Sequence, residues 1–274
     1  MGTSGPLMNL LFVGDVVGRG GRMAVQRMVP YLKQKYNCSF CIVNAENAAN
    51  GAGITKACLD EMKGVDVFTA GDHIWDQKAL ESEIGGIKNM LRPANMSKLQ
   101  PGRGWGIFRN PVAGDVAVIS LMGKVFMRDS TYCPFETAEQ ILTQIPITCK
   151  CIFVDFHAEA TSEKAAMAWF LDGRVTAVIG THTHVQTADA KILPQGTAML
   201  SDVGMVGGER SILGRDVEDV VRKFRTGMPT RLNVTENNIR LDAAVLTYEL
   251  NTGRAVSLTP ISELFNPDQE YVTL

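Results

Sequence analysis

The chain has 274 residues, 45% hydrophobic and 20% charged, with 27 Lys and Arg against 29 Asp and Glu for a net charge of -2. That composition describes a globular protein with ample core and excludes a disordered or fibrous chain. No basic run tracks a nucleic-acid backbone and no apolar stretch approaches the roughly 20 residues a bilayer requires, so polymeric nucleic acid and the membrane are both disfavoured as partners.

Residues 1–7 (MGTSGPL) have neither the basic start nor the apolar run of a signal peptide, and are expected to be a flexible extension, native or left from cloning. Met8 to Gly14 reads as a buried strand, Arg22 to Tyr36 as a helix carrying Pro30, and Phe40 to Val43 as the next strand. Thr55 to Lys63 is helical with Thr55 as N-cap, and Asp66 to Ala70 is a third strand. Trp105 to Met122 supplies further strands, followed by a helix at Thr137 to Gln144, a strand at Cys151 to Phe156, a helix at Ser162 to Leu171 and a strand at Val175 to Gly180. Thr187 to Leu193, Thr197 to Asp202 and the alternating Ile239 to Ile261 region look antiparallel, with a helix at Asp216 to Phe224. Alternating strands and helices with late antiparallel content imply an α/β protein of two stacked sheets with outer helices. No linker divides the chain, so residues 8–274 are expected to form one domain.

The six cysteines include Cys38-x-x-Cys41 and Cys149-x-Cys151, but both pairs enter apolar strands. Reduced thiols in a cytoplasmic protein explain them better than zinc does.

All four histidines follow apolar runs within short polar motifs: Gly71-Asp72-His73, Asp155-Phe156-His157 and Thr181-His182-Thr183-His184. Gly14-Asp15 and Asn44-Ala45-Glu46-Asn47 occupy the same place after earlier strands. Carboxyl ends of parallel strands converge on one crevice, so these five segments should meet. A lone Asp or Asn there is most often a cap or turn residue. Five strand ends carrying O and N donors, with every histidine included, exceed what capping requires. In extended backbone His182 and His184 would point the same way about 7 Å apart, able to reach two neighbouring metal ions or one ion from two sides. Glu46 is the candidate bridge, with Asp15 and Asn47 beside it.

The strings GDVVGR, NAEN, GDHIWD, DFHAEATSEK and GTHTHV, in that order and spacing, resemble the YmdB-like family of calcineurin-like metallophosphoesterases. The resemblance runs from about Met8 to the end of the late sheet. It implies a four-layer α/β/β/α sandwich of two mixed sheets flanked by helices, holding two metal ions that hydrolyse a phosphodiester, with cyclic nucleotides as family substrates. Iron is the implied metal and manganese the next, ahead of zinc or magnesium. Position by position, Asp15, Glu46, Asn47 and Asp72 would be oxygen ligands, and His157, His182 and His184 nitrogen ligands. His73 would be the catalytic histidine, protonating the leaving alkoxide after attack by a metal-bridging hydroxide.

One position departs from the family, which usually has Asn where this chain has Asp72. Two divalent ions carry four positive charges; Asp15, Glu46 and hydroxide remove three, and an ionised Asp72 removes the last. Tighter metal retention with weaker Lewis acidity is the expected result, and Asp72→Asn should keep the metals and change turnover. Asp155 could orient His157, while Lys164 and Glu163 read as solvated helix charges. A regulatory scaffold with a vestigial metal site is the rival reading, Asp72 being its one encouragement. The sequence leaves a homo-oligomer open.

Overall fold

The computed structural model describes residues 5–127 and 131–271. In chain order its first elements are β1 (Leu7–Val13), β2 (Asp15–Val16), α1 (Gly18–Lys35), β3 (Cys38–Asn44), α2 (Lys56–Glu61), β4 (Val67–Thr69), α3 (Ala79–Glu83), β5 (Trp105–Asn110) and β6 (Gly114–Met122). There follow α4 (Pro134–Leu142), β7 (Cys151–His157), α5 (Thr161–Phe170), β8 (Ala177–Thr181), β9 (Lys191–Ile192), β10 (Ala198–Leu200), β11 (Met205–Gly208), α6 (Val217–Thr226), β12 (Ile239–Glu249) and β13 (Ala255–Leu264).

Among the described residues the strands form two mixed sheets. The first runs β2-β11-β12-β1-β3-β4, with β13 also paired to β12; the second runs β5-β6-β7-β8-β10-β9. β1, β3 and β4 are mutually parallel, as are β6, β7, β8 and β10.

Alternation along the strands builds the layers. On β1, Leu11 and Val13 face Ala24, Val25, Met28 and Leu32 of α1, while Leu10 and Phe12 face the other sheet. There they join Phe40 and Ile42 of β3 and meet Val116, Val118, Phe153 and Ile179 of the second sheet, with the Phe12 and Phe153 ring centroids 4.8 Å apart. On the second sheet's far face, Ile119, Val154 and Phe156 pack against Ala138 and Ile141 of α4 and Met167 of α5. The result is an α/β/β/α sandwich with three apolar seams. A one-residue register slip would exchange the faces of a strand. Both faces of β1 are covered, so such a slip would cost packing fit between the layers and not burial.

Several expectations are corrected. The strand expected to begin at Met8 begins at Leu7, and Leu250 N donates to Pro6 O at 2.9 Å. Residues 1–4 of the expected extension lie outside the described residues. Thr197 to Asp202 was expected to be antiparallel, but β10 runs parallel to β8 and antiparallel only to the two-residue β9. α1 begins at Gly18 rather than Arg22, because the small Gly20 and Gly21 let its first turn lie against the sheet. Thr55 does cap α2, accepting from Cys58 N at 3.2 Å. Among the described residues, no helix is long and apolar enough to cross a membrane.

Candidate metal centre

The parallel strands deliver their polar ends to one place. Asp15 lies one residue past β1 as the start of β2, Glu46 and Asn47 lie just past β3, and Asp72 and His73 lie just past β4. From the second sheet, His157 is the last residue of β7 and His182 follows the last residue of β8. Gly71 admits this convergence: a Cβ there would collide with the His157 ring and with Glu46 Oε2.

Two groups of donors result. Glu46, Asp72, His157 and His182 offer one ligand atom each, all within 4.8 Å of one another; so do Asp15, Glu46 and His184. Glu46 belongs to both, the position a bridging carboxylate requires. His157 Nε2 lies 3.1 Å from Glu46 Oε2, 3.1 Å from Asp72 Oδ1 and 3.1 Å from His182 Nδ1. One nitrogen carries at most one proton, so these four atoms cannot all satisfy one another.

The outward-facing nitrogens fix which atoms point in. His157 Nδ1 lies 2.9 Å from Thr181 Oγ1, whose own hydroxyl donates to Asp155 Oδ1 at 2.7 Å. His157 therefore donates through Nδ1 and turns Nε2 to the cluster. Asp155 also accepts from Asn44 at 3.0 Å and from Thr69, so it fastens both sheets beneath the site. His184 Nδ1 donates to Leu213 O at 3.2 Å, leaving the lone pair of Nε2 facing Asn47 Oδ1 at 3.1 Å. The Asn47 amide nitrogen is committed to Gly51 O at 3.3 Å, so two acceptors confront each other. His182 Nε2 pairs with Glu159 Oε2 at 3.1 Å. A carboxylate or carbonyl behind an imidazole is the usual support of a metal-binding histidine.

The extended geometry expected for His182 and His184 is not what brings them to two groups. Their φ angles are 103° and 62°, in the left-handed region that non-glycine residues rarely enter. Such residues cost about 1–3 kcal/mol each and persist where the surroundings over-determine them. The chain turns sharply after β8, sending His182 to one group and His184 to the other.

Electrostatics agree with a site built for cations. Burial pushes the Asp15 carboxyl well above its ordinary value, with Glu46 and Asp202 adding to the push against His157. Burial acts the same way on Glu46 and Asp72, but His157 outweighs it on Glu46, and His157 with His182 outweighs it on Asp72, so both end below the usual range. Burial alone would lower His157, yet Glu46, Asp72 and Asp15 raise it well above normal: the acids draw a proton to where a metal would sit. Burial lowers His184, keeping it neutral. Asp15 Oδ1 and Glu46 Oε2 are buried without a hydrogen-bond partner. Carboxylate oxygens and imidazole nitrogens suit iron, manganese or zinc, and a metal ion would take the place of the proton drawn to His157.

His73 lies outside both groups, half-buried, with Nδ1 2.8 Å from Asp76 Oδ2. Lys164, expected to be a solvated charge, is instead buried against Asp202. Glu163 accepts from the backbone N–H groups of Lys124 and Val125 at 2.9 and 3.1 Å. Sequence reasoning passed over Glu159 and Thr181, although each lies two residues or fewer from a singled-out histidine. The thiols of Cys38 and Cys151 are pushed by burial up to about 12, which keeps them protonated and inert.

Comparison with known proteins places this geometry. Residues 11–261 match the family described as YmdB-like protein. The chain is 42% identical over 266 residues to the 2′,3′-cyclic-nucleotide 2′-phosphodiesterase of Bacillus subtilis (strain 168), covering 96% of this chain and 99% of that protein. The crystal structure of a hypothetical protein from Thermus thermophilus superposes with a TM-score of 0.87 at 36% identity, over 94% of this chain and 99% of the other. That of a novel phosphatase from Mycoplasma pneumoniae gives a TM-score of 0.87 at 32% identity, over 95% and 94%. Matched along nearly its whole length, with a His, Asp and Glu cluster that could hold metal at its strand ends, the chain belongs to the YmdB-like family and is a phosphoesterase of the metallophosphoesterase fold.

Proposed function

We propose that this protein is a metal-dependent phosphodiesterase that opens a cyclic nucleotide, foremost a 2′,3′-cyclic one. The observation that carries the reading is Glu46, shared by two donor groups and holding a buried oxygen with no hydrogen-bond partner. One metal would be held by Glu46, Asp72, His157 and His182, the other by Asp15, Glu46, Asn47 and His184, with iron expected and manganese next. Bound there, they supply Lewis acidity toward the phosphoryl oxygens and a hydroxide at neutral pH.

The chain's own residues do the rest. Thr181, Glu159 and Leu213 O aim the imidazoles. Asp76 holds His73 through Nδ1, which leaves Nε2 to protonate the departing ribose oxygen. The named activity of the Bacillus relative supports the 2′ oxygen as that leaving group. A cavity of about 360 Å³ lined by His184, Gln186, Met205, Glu209, Arg240 and Ser262 has room for a nucleoside beside the centre. Six unpaired thiols support a cytoplasmic location.

The test is elemental analysis of protein purified without added metal, then a screen of 2′,3′- and 3′,5′-cyclic nucleotides. Two metals per chain and a nucleoside 3′-monophosphate product are expected. Metal without any diester hydrolysis would favour the scaffold reading.

A further inference from the structure

Lysine is almost never fully buried without a partner. Lys164 on α5 is 2% exposed, and its Nζ lies 2.7 Å from Oδ2 of an equally buried Asp202. Neither belongs to the donor groups of the metal centre. Asp202 directs its remaining capacity at two backbone amides, accepting from Thr183 N through Oδ2 at 2.9 Å and from Gly204 N through Oδ1 at 2.9 Å.

Thr183 is the residue between the two left-handed histidines. Gly204 O in turn accepts from Asp15 N at 3.1 Å, and the neighbouring Val203 N donates to Gly180 O at 2.9 Å. A single carboxylate thus ties the turn that presents His182 and His184 to the turn that backs Asp15. A second tie, His182 N to Asp15 Oδ2 at 3.0 Å, closes the loop. Two residues in disfavoured backbone persist only where such contacts over-determine them.

We infer that Lys164 and Asp202 are positioning residues for the metal centre: their buried ion pair pins the Thr183 amide and so splits His182 and His184 between the two metal positions. This rests on the metal-dependent reading above. The charge on Lys164 matters because a buried carboxylate stripped of its cation is strongly disfavoured. Removing the amine therefore releases Asp202 from Thr183 rather than leaving it in place.

The full chain loaded with Mn²⁺ is dialysed against graded EDTA, and Mn²⁺ per chain is measured for wild type, Lys164→Met, Asp202→Asn and the double variant. Met167→Ala, which empties an apolar contact of the same helix, controls for lost stability. Lys164→Met and Asp202→Asn should each release Mn²⁺ at roughly ten-fold or more lower chelator, the usual size of effect for support behind metal ligands. The charge-neutral double variant, which also lacks the ion pair, should lose retention to about the same extent as the singles, and it decides the matter should a single variant not fold. Met167→Ala should lower the melting temperature with Mn²⁺ retention unchanged, and excess Mn²⁺ should restore kcat in Lys164→Met without altering KM. Retention matching wild type in the folded variants, or an equal loss in Met167→Ala, overturns the inference. Wild type that binds neither Mn²⁺ nor Fe²⁺ overturns both this inference and the proposed function. Wild type that binds Mn²⁺ without hydrolysing diesters overturns only the function.

Discussion

A metal-binding imidazole almost always donates its other ring N–H to a supporting group. In the proposed centre Thr181 plays that part for His157, with Asp155 behind it. Thr181→Val keeps the shape and removes the link; metal affinity should fall about 10–100-fold, read as Mn²⁺ retained against chelator. His73 makes the opposite case, since it lies outside both donor groups. His73→Gln should leave metal content unchanged and lower kcat by ~10²–10⁴, with the loss confined to substrates whose leaving oxygen is a poor one. Asp72 sits between these cases, touching His157 and carrying a charge of its own. Asp72→Asn should retain both metals and turn over faster, because one positive charge is restored to the centre; elemental analysis beside steady-state kinetics checks both halves.

At the scale of elements, the segment from β8 through β10 is fastened by Asp189. Its carboxylate accepts from Ser201 Oγ at 2.6 Å, Thr187 Oγ1 at 2.7 Å and Ser201 N at 3.1 Å. Partial burial opposes ionisation, but these donors prevail and hold the carboxyl below its ordinary value. A depressed folded value means the stabilisation is present above the unfolded value and lost as pH falls. Asp189→Asn should therefore cost about 1 kcal/mol at pH 7, roughly 2–4 °C in melting temperature. The difference should shrink below about pH 4 and vanish once the depressed value is passed.

Elements also divide what the sequence discloses from what it withholds. The five strand-end motifs were legible because each follows an apolar run long enough to mark a buried strand. The donors were legible because O and N side chains have few other reasons to gather there. The parallel orientation of β10 was not: three residues carry no mark of direction, which is set by β8 alongside. The pairing of β2 with β11 joins residues far apart in the chain. Lys164 reads as solvated because its partner lies on another element 38 positions away. The turn at His182 is invisible because neither glycine nor asparagine announces the left-handed backbone that Asp15 and Asp202 impose.

For the whole molecule, metal held as proposed would favour the folded chain over the unfolded one, since the candidate donors come from strand ends spread between residues 15 and 184. Ligand at 100 times its Kd adds about 2.7 kcal/mol to folding, so EDTA should lower the melting temperature by several degrees and Mn²⁺ should restore it. The carboxylates all hang from the first sheet and the imidazole ligands all from the second, with the Phe12–Phe153 seam between. A slip of about 1 Å along that seam would draw the carboxylates away from the imidazoles at once, while each sheet kept its own hydrogen bonds. Turnover in this molecule is thus a strain gauge for shear between its two halves, sensitive to a displacement that circular dichroism would not see.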